Sequence, residues 1–259
     1  MPGLQKKLWR AWYEYLARSH RAAELTFMNY GYSAPGTPRR ALADSDEPDR
    51  SFIQLYEHVA GSVDLKGCVV LEVGSGRGGG SSFIKRYLKP ARMTGIDLSK
   101  SAVDFSRQRH RVDGLEFRVG DAESLPFGDD SFDAVINVES SHCYPSFEKF
   151  LGEVRRVLRP GGHFLYADFR KREKVEAWRN GLRSAKLEML CEIDITRNVI
   201  AALDHDNDRK LALIQQLIPR ILHKSFFDFA ALRGSFVFEG FQSGELVYMS
   251  FVLRKRPLF

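Results

Sequence analysis

The chain has 259 residues, 44% hydrophobic, 28% charged and 12% aromatic, enough apolar material to build a large core without disulfides or a structural metal; stapled miniproteins and mainly disordered chains are set aside. Cys68, Cys143 and Cys191 are too few and too scattered for a disulfide framework or a metal clip, so a reducing, cytoplasmic setting is expected. The net charge of +6 invites a nucleic-acid reading, but its surplus is concentrated beyond residue 169. Neither Arg170-Lys171-Arg172 nor Arg254-Lys255-Arg256 interleaves aromatics with basic residues as a stacking platform does. These runs are read as solvated surface, and no nucleic-acid partner is expected.

At the N-terminus, Leu4, Leu8, Trp9, Trp12 and Leu16 recur at helical spacing opposite Lys6, Lys7 and Arg10. They predict an amphipathic helix that covers its own domain or lies on a membrane surface. No apolar run approaches the roughly 18 residues a bilayer span needs. Residues 31–50 are rich in Gly, Pro, Ser and Asp and read as a loop, so 1–50 are read as a helical lid and loop and 51–259 as the body of what is overall a single domain. From Phe52 short β-branched runs alternate with amphipathic ones, as in βα units with a parallel sheet. Strands are expected at Val69–Val73, Met93–Leu98, Leu115–Val119, Ala134–Val138 and His163–Asp168. Helices are expected at Gly80–Leu88, Ser99–His110 and Phe147–Leu158, the last stopped by Arg159-Pro160-Gly161-Gly162. A helical insert over 173–224 then leads to two strands, Gly234–Phe241 and Leu246–Arg254, read as an antiparallel hairpin. The expectation is a doubly wound, Rossmann-like α/β sheet of seven strands.

The first strand runs into Glu72-Val73-Gly74-Ser75-Gly76-Arg77-Gly78-Gly79-Gly80. Five glycines let the backbone turn tightly and approach a ligand, with a helix N-terminus aimed at it. Gly74, Gly76 and Gly79 also satisfy the GxGxxG pattern of a dinucleotide site. Asp97, 25 residues after Glu72, is a ribose-binding acid in either case.

The surrounding segments separate the two. The acidic-x-Gly-x-Gly-x-Gly run from Glu72, the Gly120-Asp121-Ala122-Glu123 strand end, Ser131-Phe132-Asp133 and Leu158-Arg159-Pro160-Gly161-Gly162 resemble, in order and spacing, the class I S-adenosylmethionine-dependent methyltransferases. Phe27-Met28-Asn29-Tyr30-Gly31-Tyr32 and Asn137-Val138-Glu139-Ser140-Ser141-His142-Cys143-Tyr144-Pro145 look like the mycobacterial phthiotriol and phenolphthiotriol dimycocerosates methyltransferases and related natural-product O-methyltransferases.

The resemblance implies S-adenosylmethionine as cofactor, held by Glu72, Gly74, Ser75, Gly76, Gly78, Asp97, Leu98, Asp121, Ala122 and Asn137, with Tyr30 and Tyr32 closing over it. It also implies a bulky, apolar acceptor carrying a hydroxyl. Deprotonating an alcohol as it attacks needs a base. His142, just past the fourth strand, is expected to be that base, and Asp168, 26 residues on and ending the fifth strand, its orienter. The plainer alternative is that His142 and Tyr144 only line the pocket or cap a helix. Glu139 is read as bonding the fold or the methionine end of the cofactor. Asp204-His205-Asp206-Asn207-Asp208 lacks the Gly and terminal Glu of a calcium loop and reads as a solvated turn. The histidines show no metal-ligand spacing, so no metal is expected. The runner-up activity is C-methylation of a sterol or quinone ring. Nucleic-acid or protein methylation ranks lower, because the position after the fourth strand lacks a Pro-Pro-aromatic motif.

Overall fold

The computed structural model describes residues 25–36, 39–217 and 220–257; the amphipathic segment 4–16 lies outside them. Its frame is one seven-stranded sheet: β1 (Val69–Val73), β2 (Arg92–Asp97), β3 (Leu115–Val119), β4 (Phe132–Val138), β5 (Leu158–Lys171), β6 (Glu188–Asp194) and β7 (Leu246–Arg254). The order across the sheet is β3-β2-β1-β4-β5-β7-β6. β1 to β5 pair in parallel, and β7 runs antiparallel between β5 and β6. The first strand is central, so the order reverses beside it, and the ends of β1 and β4 form the crevice where doubly wound sheets bind ligands.

The inner part of the sheet is covered on both faces, and β1, β4 and β7 accordingly read as near-continuous buried runs rather than alternating ones. Val70, Ile136, Leu165, Ala167 and Tyr248 face α1 (Arg50–Ala60) and its neighbours. Leu71, Val135, Phe164, Tyr166 and Phe251 face the other way, against Phe150, Leu151 and Val154 of α4 (Phe147–Val157) and Trp178 and Leu182 of α5 (Val175–Ser184). Between these lie α2 (Gly79–Phe83) after the glycine loop and α3 (Lys100–Arg109), whose N-cap Ser99 Oγ accepts from Ala102 N.

The closing hairpin is corrected. Residues 236–242 form a helix, and the penultimate strand is β6, inside the stretch read as a helical insert. Between β6 and β7 come α6 (Thr196–His205), α7 (Asn207–Leu217), α8 (His223–Phe229) and α9 (Phe236–Gln242). Ser235 caps α9 by accepting from Phe238 N at 3.2 Å, and Phe238 and Phe241, three residues apart, both turn into the core. The β-forming composition of Val237, Phe238 and Phe241 gives way to this cap and burial. β6 pairs only with β7 and is half exposed, so it carries little of the apolar signal of an inner strand. The cluster at Asp204–Asp208 is also not a solvated turn: Asp206 and Asn207 are buried, Asp206 pairs with Arg209, and Asn207 Oδ1 accepts from Arg233 N. Among the described residues no helix is long and apolar enough to cross a membrane.

Candidate active site

The loop after β1 is shaped by what crowds it. Gly74 stands at φ +75°, and a Cβ there would fall 2.3 Å from Ser140 Oγ and 2.7 Å from Tyr144 OH. Gly78, at φ +81°, lies against Phe117 and His110, so it serves the loop's packing rather than the crevice. Gly76 differs: a Cβ would come no nearer than 4.0 Å to Met28 Sδ. Its N–H donates to Asp97 Oδ2 at 2.9 Å, and Asp97 Oδ1 accepts from Ser99 N at 2.8 Å. The end of β2 is thereby fixed to the loop. Beyond it Leu98 is 73% exposed, an apolar surface next to a carboxylate. Asp121 is exposed after β3, its Oδ1 accepting from Glu123 N at 2.8 Å, with Ala122 half-buried beside it.

Glu72 is enclosed by protein. It lies under the loop, fully buried, with Tyr56 OH donating to Oε1 at 2.6 Å and Ser81 Oγ donating to Oε2. Burial raises this carboxyl to about 7 against the pull of those two donors. It supports the loop from beneath and does not line the crevice.

The expected pair meets just past the end of β4, where His142 lies, and inside β5, which runs on beyond Asp168 to Lys171. His142 Nδ1 lies 2.8 Å from Asp168 Oδ1, and His142 N donates to Asp168 Oδ2 at 3.0 Å. Asp168 also accepts from Ser141 Oγ at 2.5 Å and Phe169 N at 2.8 Å and pairs with Arg170 Nη1 at 3.1 Å. Burial alone raises a carboxyl, but the charges of His142 and Arg170 and these donors hold Asp168 below the usual range. The same contact works on His142 in reverse: burial disfavours the charged ring, and Asp168 outweighs it and raises the imidazole.

Sequence reasoning missed the rest of this cluster. Arg170 was read as solvated, yet its side chain is 15% exposed, with the guanidinium 4.7 Å from the Trp178 ring and donating to Ser141 Oγ at 2.9 Å. Ser141 Oγ also meets Tyr166 OH at 2.6 Å, which accepts from Trp178 Nε1 at 3.0 Å. The alternation of β5 carried a signal for part of it, since Tyr166, Asp168 and Arg170 share one face.

Asn137, wholly buried, donates through Nδ2 to Val73 O at 2.9 Å and Ser140 Oγ at 2.8 Å. Its Oδ1 has no hydrogen-bond partner among the described residues, an acceptor that a ligand would satisfy. Ser75 Oγ is buried in the same condition. Tyr30 is buried and its N–H donates to Glu139 Oε1 at 2.8 Å. Tyr32 stands apart, stacked on His58 at 4.6 Å.

This donor set fits S-adenosylmethionine. Asp97 offers a carboxylate for paired hydroxyls, Leu98 and Ala122 an apolar ledge for a base, Asn137 an unsatisfied acceptor, and Gly76 a backbone a ligand can approach. An open groove of about 510 Å³ at the outer edge of the sheet is lined by Arg107, His110, Arg111 and Arg118. It includes none of these strand-end groups.

Comparisons with known proteins bear on the family and the fold. A family model described as a methyltransferase domain matches residues 71–166, from the middle of β1 into β5. The chain is 40% identical over 96% of its length, and 93% of the relative's, to a phthiotriol/phenolphthiotriol dimycocerosates methyltransferase of Mycobacterium tuberculosis. It is 44% identical over 81% of its length to a fatty-acid O-methyltransferase of Mycolicibacterium smegmatis, covering 77% of that protein. Geranyl diphosphate C-methyltransferase from Streptomyces coelicolor superposes with a TM-score of 0.67 at 16% identity, covering 95% of this chain and 97% of that one, a likeness of fold. The chain belongs to the S-adenosylmethionine-dependent methyltransferases, in the family of the phthiotriol/phenolphthiotriol dimycocerosates enzymes.

Proposed function

We propose that the protein moves the methyl group to an oxygen of a bulky, apolar, hydroxylated small molecule, with His142 as general base and Asp168 as its orienting partner. The observation that carries this reading is the 2.8 Å contact between His142 Nδ1, just past β4, and Asp168, within β5. It assigns Nδ1 the proton and leaves Nε2 as the basic nitrogen. When bound, S-adenosylmethionine supplies a methyl group already activated by its sulfonium, so the protein's tasks are placement, exclusion of water and removal of one proton. Asp97, Leu98, Ala122 and Asn137 would hold the cofactor. The acceptor oxygen would take the methyl as the carbon–sulfur bond of the sulfonium breaks, leaving the neutral thioether, and the oxygen's proton would pass to His142 Nε2, whose imidazolium Asp168 stabilises. Arg170 keeps Asp168 ionised throughout. Tyr30, in the segment that crosses the loop, closes the site from above.

An apolar acceptor is supported by the relatives, one named for phthiotriol lipids and the other for fatty acids; the second name also favours oxygen over carbon. Residues 4–16, with Trp9 and Trp12 opposite three basic residues, suit a membrane surface on which such an acceptor resides. The test is incubation of the purified protein with methyl-labelled cofactor and two acceptors of matched chain length, a secondary alcohol and a fatty acid. A labelled methyl ether from the alcohol is expected. A labelled ester alone assigns a carboxylate acceptor instead, and label confined to carbon, RNA or protein overturns the reading.

A further inference from the structure

One half-buried carboxylate beside the dyad has no part in the chemistry above. Glu139 stands at φ +48°, a left-handed conformation that costs a non-glycine residue strain and collects at functional sites. Its N–H donates to Ala167 O at 2.9 Å, which pins this turn next to Asp168. A single oxygen, Oε1, accepts twice: from Tyr30 N at 2.8 Å and from Tyr248 OH at 2.9 Å.

Tyr30 belongs to a segment that strings together otherwise separate elements. Thr26 O accepts from Gly79 N at 3.2 Å in the loop after β1, and Met28 Sδ stands over Gly76. Tyr32 N donates to Ser51 O on α1 and Ser33 N to Asn198 O on α6. Glu139 is thus the fastening of this segment at the end of β4. The contact continues through rings: Tyr30 packs on Phe169 with centroids 5.4 Å apart, and Phe169 packs on the His142 imidazole at 4.6 Å. Where Tyr30 sits therefore bears on how the imidazole is held.

We propose that Glu139 is a positioning residue, which latches segment 26–33 across the strand ends and, through Tyr30 and Phe169, fixes the plane of the His142 ring. Closure over the cofactor loop and alignment of the base are then one event. The coupling rests on His142 being the base; the latch does not.

The test compares Glu139→Ala, which removes the acceptor, with Glu139→Gln, which keeps one. Amide hydrogen exchange is followed over the full chain, together with kcat and KM. In Glu139→Ala, exchange over residues 26–33 accelerates tenfold or more while β1 and β4 stay protected, and kcat falls about tenfold with less change in KM. Glu139→Gln restores most of both. Should Glu139→Ala fail to fold, Glu139→Asp, one carbon shorter, reads the same exchange. Unchanged protection over 26–33 in a folded variant overturns the latch. Lost protection with kcat intact overturns the coupling to His142. If His142→Ala itself retains full turnover, the base assignment fails, and the exchange data still decide the latch.

Discussion

Asp168 is a buried carboxylate with four hydrogen bonds and an ion pair, and most of what the site can do follows from it. Because Asp168 raises the imidazole to about 10, the basic form of His142 grows as pH climbs above the ordinary imidazole range. For an alcohol acceptor, kcat/KM is expected to rise with pH to a midpoint above the ordinary imidazole value of about 6.5. Asp168→Asn should move that midpoint down, and His142→Ala should lower turnover about 100-fold while leaving the cofactor dissociation constant unchanged. A carboxylate acceptor has no proton to remove, so near-normal turnover of a fatty acid by His142→Ala beside failure on the alcohol would identify the acceptor class. The pair was legible in the sequence because parallel strands present their ends together, and 26 residues span one βα unit. Arg170 was not, since a basic run looks alike whether it meets water or, as here, Trp178 and a buried acid. The burial of Glu72 against Tyr56 and Ser81 was not legible either, because a motif gives a residue's position along a strand but not what folds beneath it.

At the scale of elements, the inner strands were the most readable. β1 has the boundaries its apolar run predicts, as expected where both faces are covered, and the edge strand β3 is bounded as its alternation of Leu115, Phe117 and Val119 predicts. β6 and α9 were not readable: an edge strand needs little apolar character, and a two-turn helix is too short to display a period. α1 was passed over although Phe52, Tyr56 and Val59 recur at helical spacing after Pro48. The glycine loop permits a controlled comparison. Gly74 and Gly161 share positive φ, +75° and +83°, but a Cβ at Gly161 meets nothing within 4 Å, whereas at Gly74 it strikes Ser140 and Tyr144. Both groups bond Asn137 Nδ2. Gly161→Ala should cost only the left-handed backbone penalty, about 1 kcal/mol in urea unfolding, and leave cofactor binding alone. Gly74→Ala should also displace the Asn137 cluster and weaken cofactor binding at least tenfold by calorimetry. Equal cofactor affinity in the two variants would show that the cluster does not bear on the cofactor.

For the molecule as a whole, the two basic runs read as solvated surface are partly engaged in ion pairs, with Arg170 on Asp168, Arg254 on Glu188 and Lys255 on Asp130. The costlier charge is negative. Glu72 joins β1 to Tyr56 of α1 and Ser81 of α2 at the centre of the fold, and burial raises it from 4.5 to about 7. Below pH 4.5 the carboxyl is protonated in both folded and unfolded chains. Between 4.5 and 7 the unfolded chain has released the proton and the native one retains it, so rising pH favours unfolding. Above 7 both are ionised and the full cost of the buried charge is present. Glutamine can accept from Tyr56 and Ser81 but does not titrate. Relative to the wild type, Glu72→Gln should therefore gain stability steadily from pH 4.5 to 7 and hold that gain above it, by up to about 3 kcal/mol at 1.36 kcal/mol per pKa unit. Urea unfolding at pH 5 and pH 8 reads this directly. A stability difference equal at the two pH values would mean that Glu72 stays ionised in the native protein throughout, and that its two donors outweigh its burial.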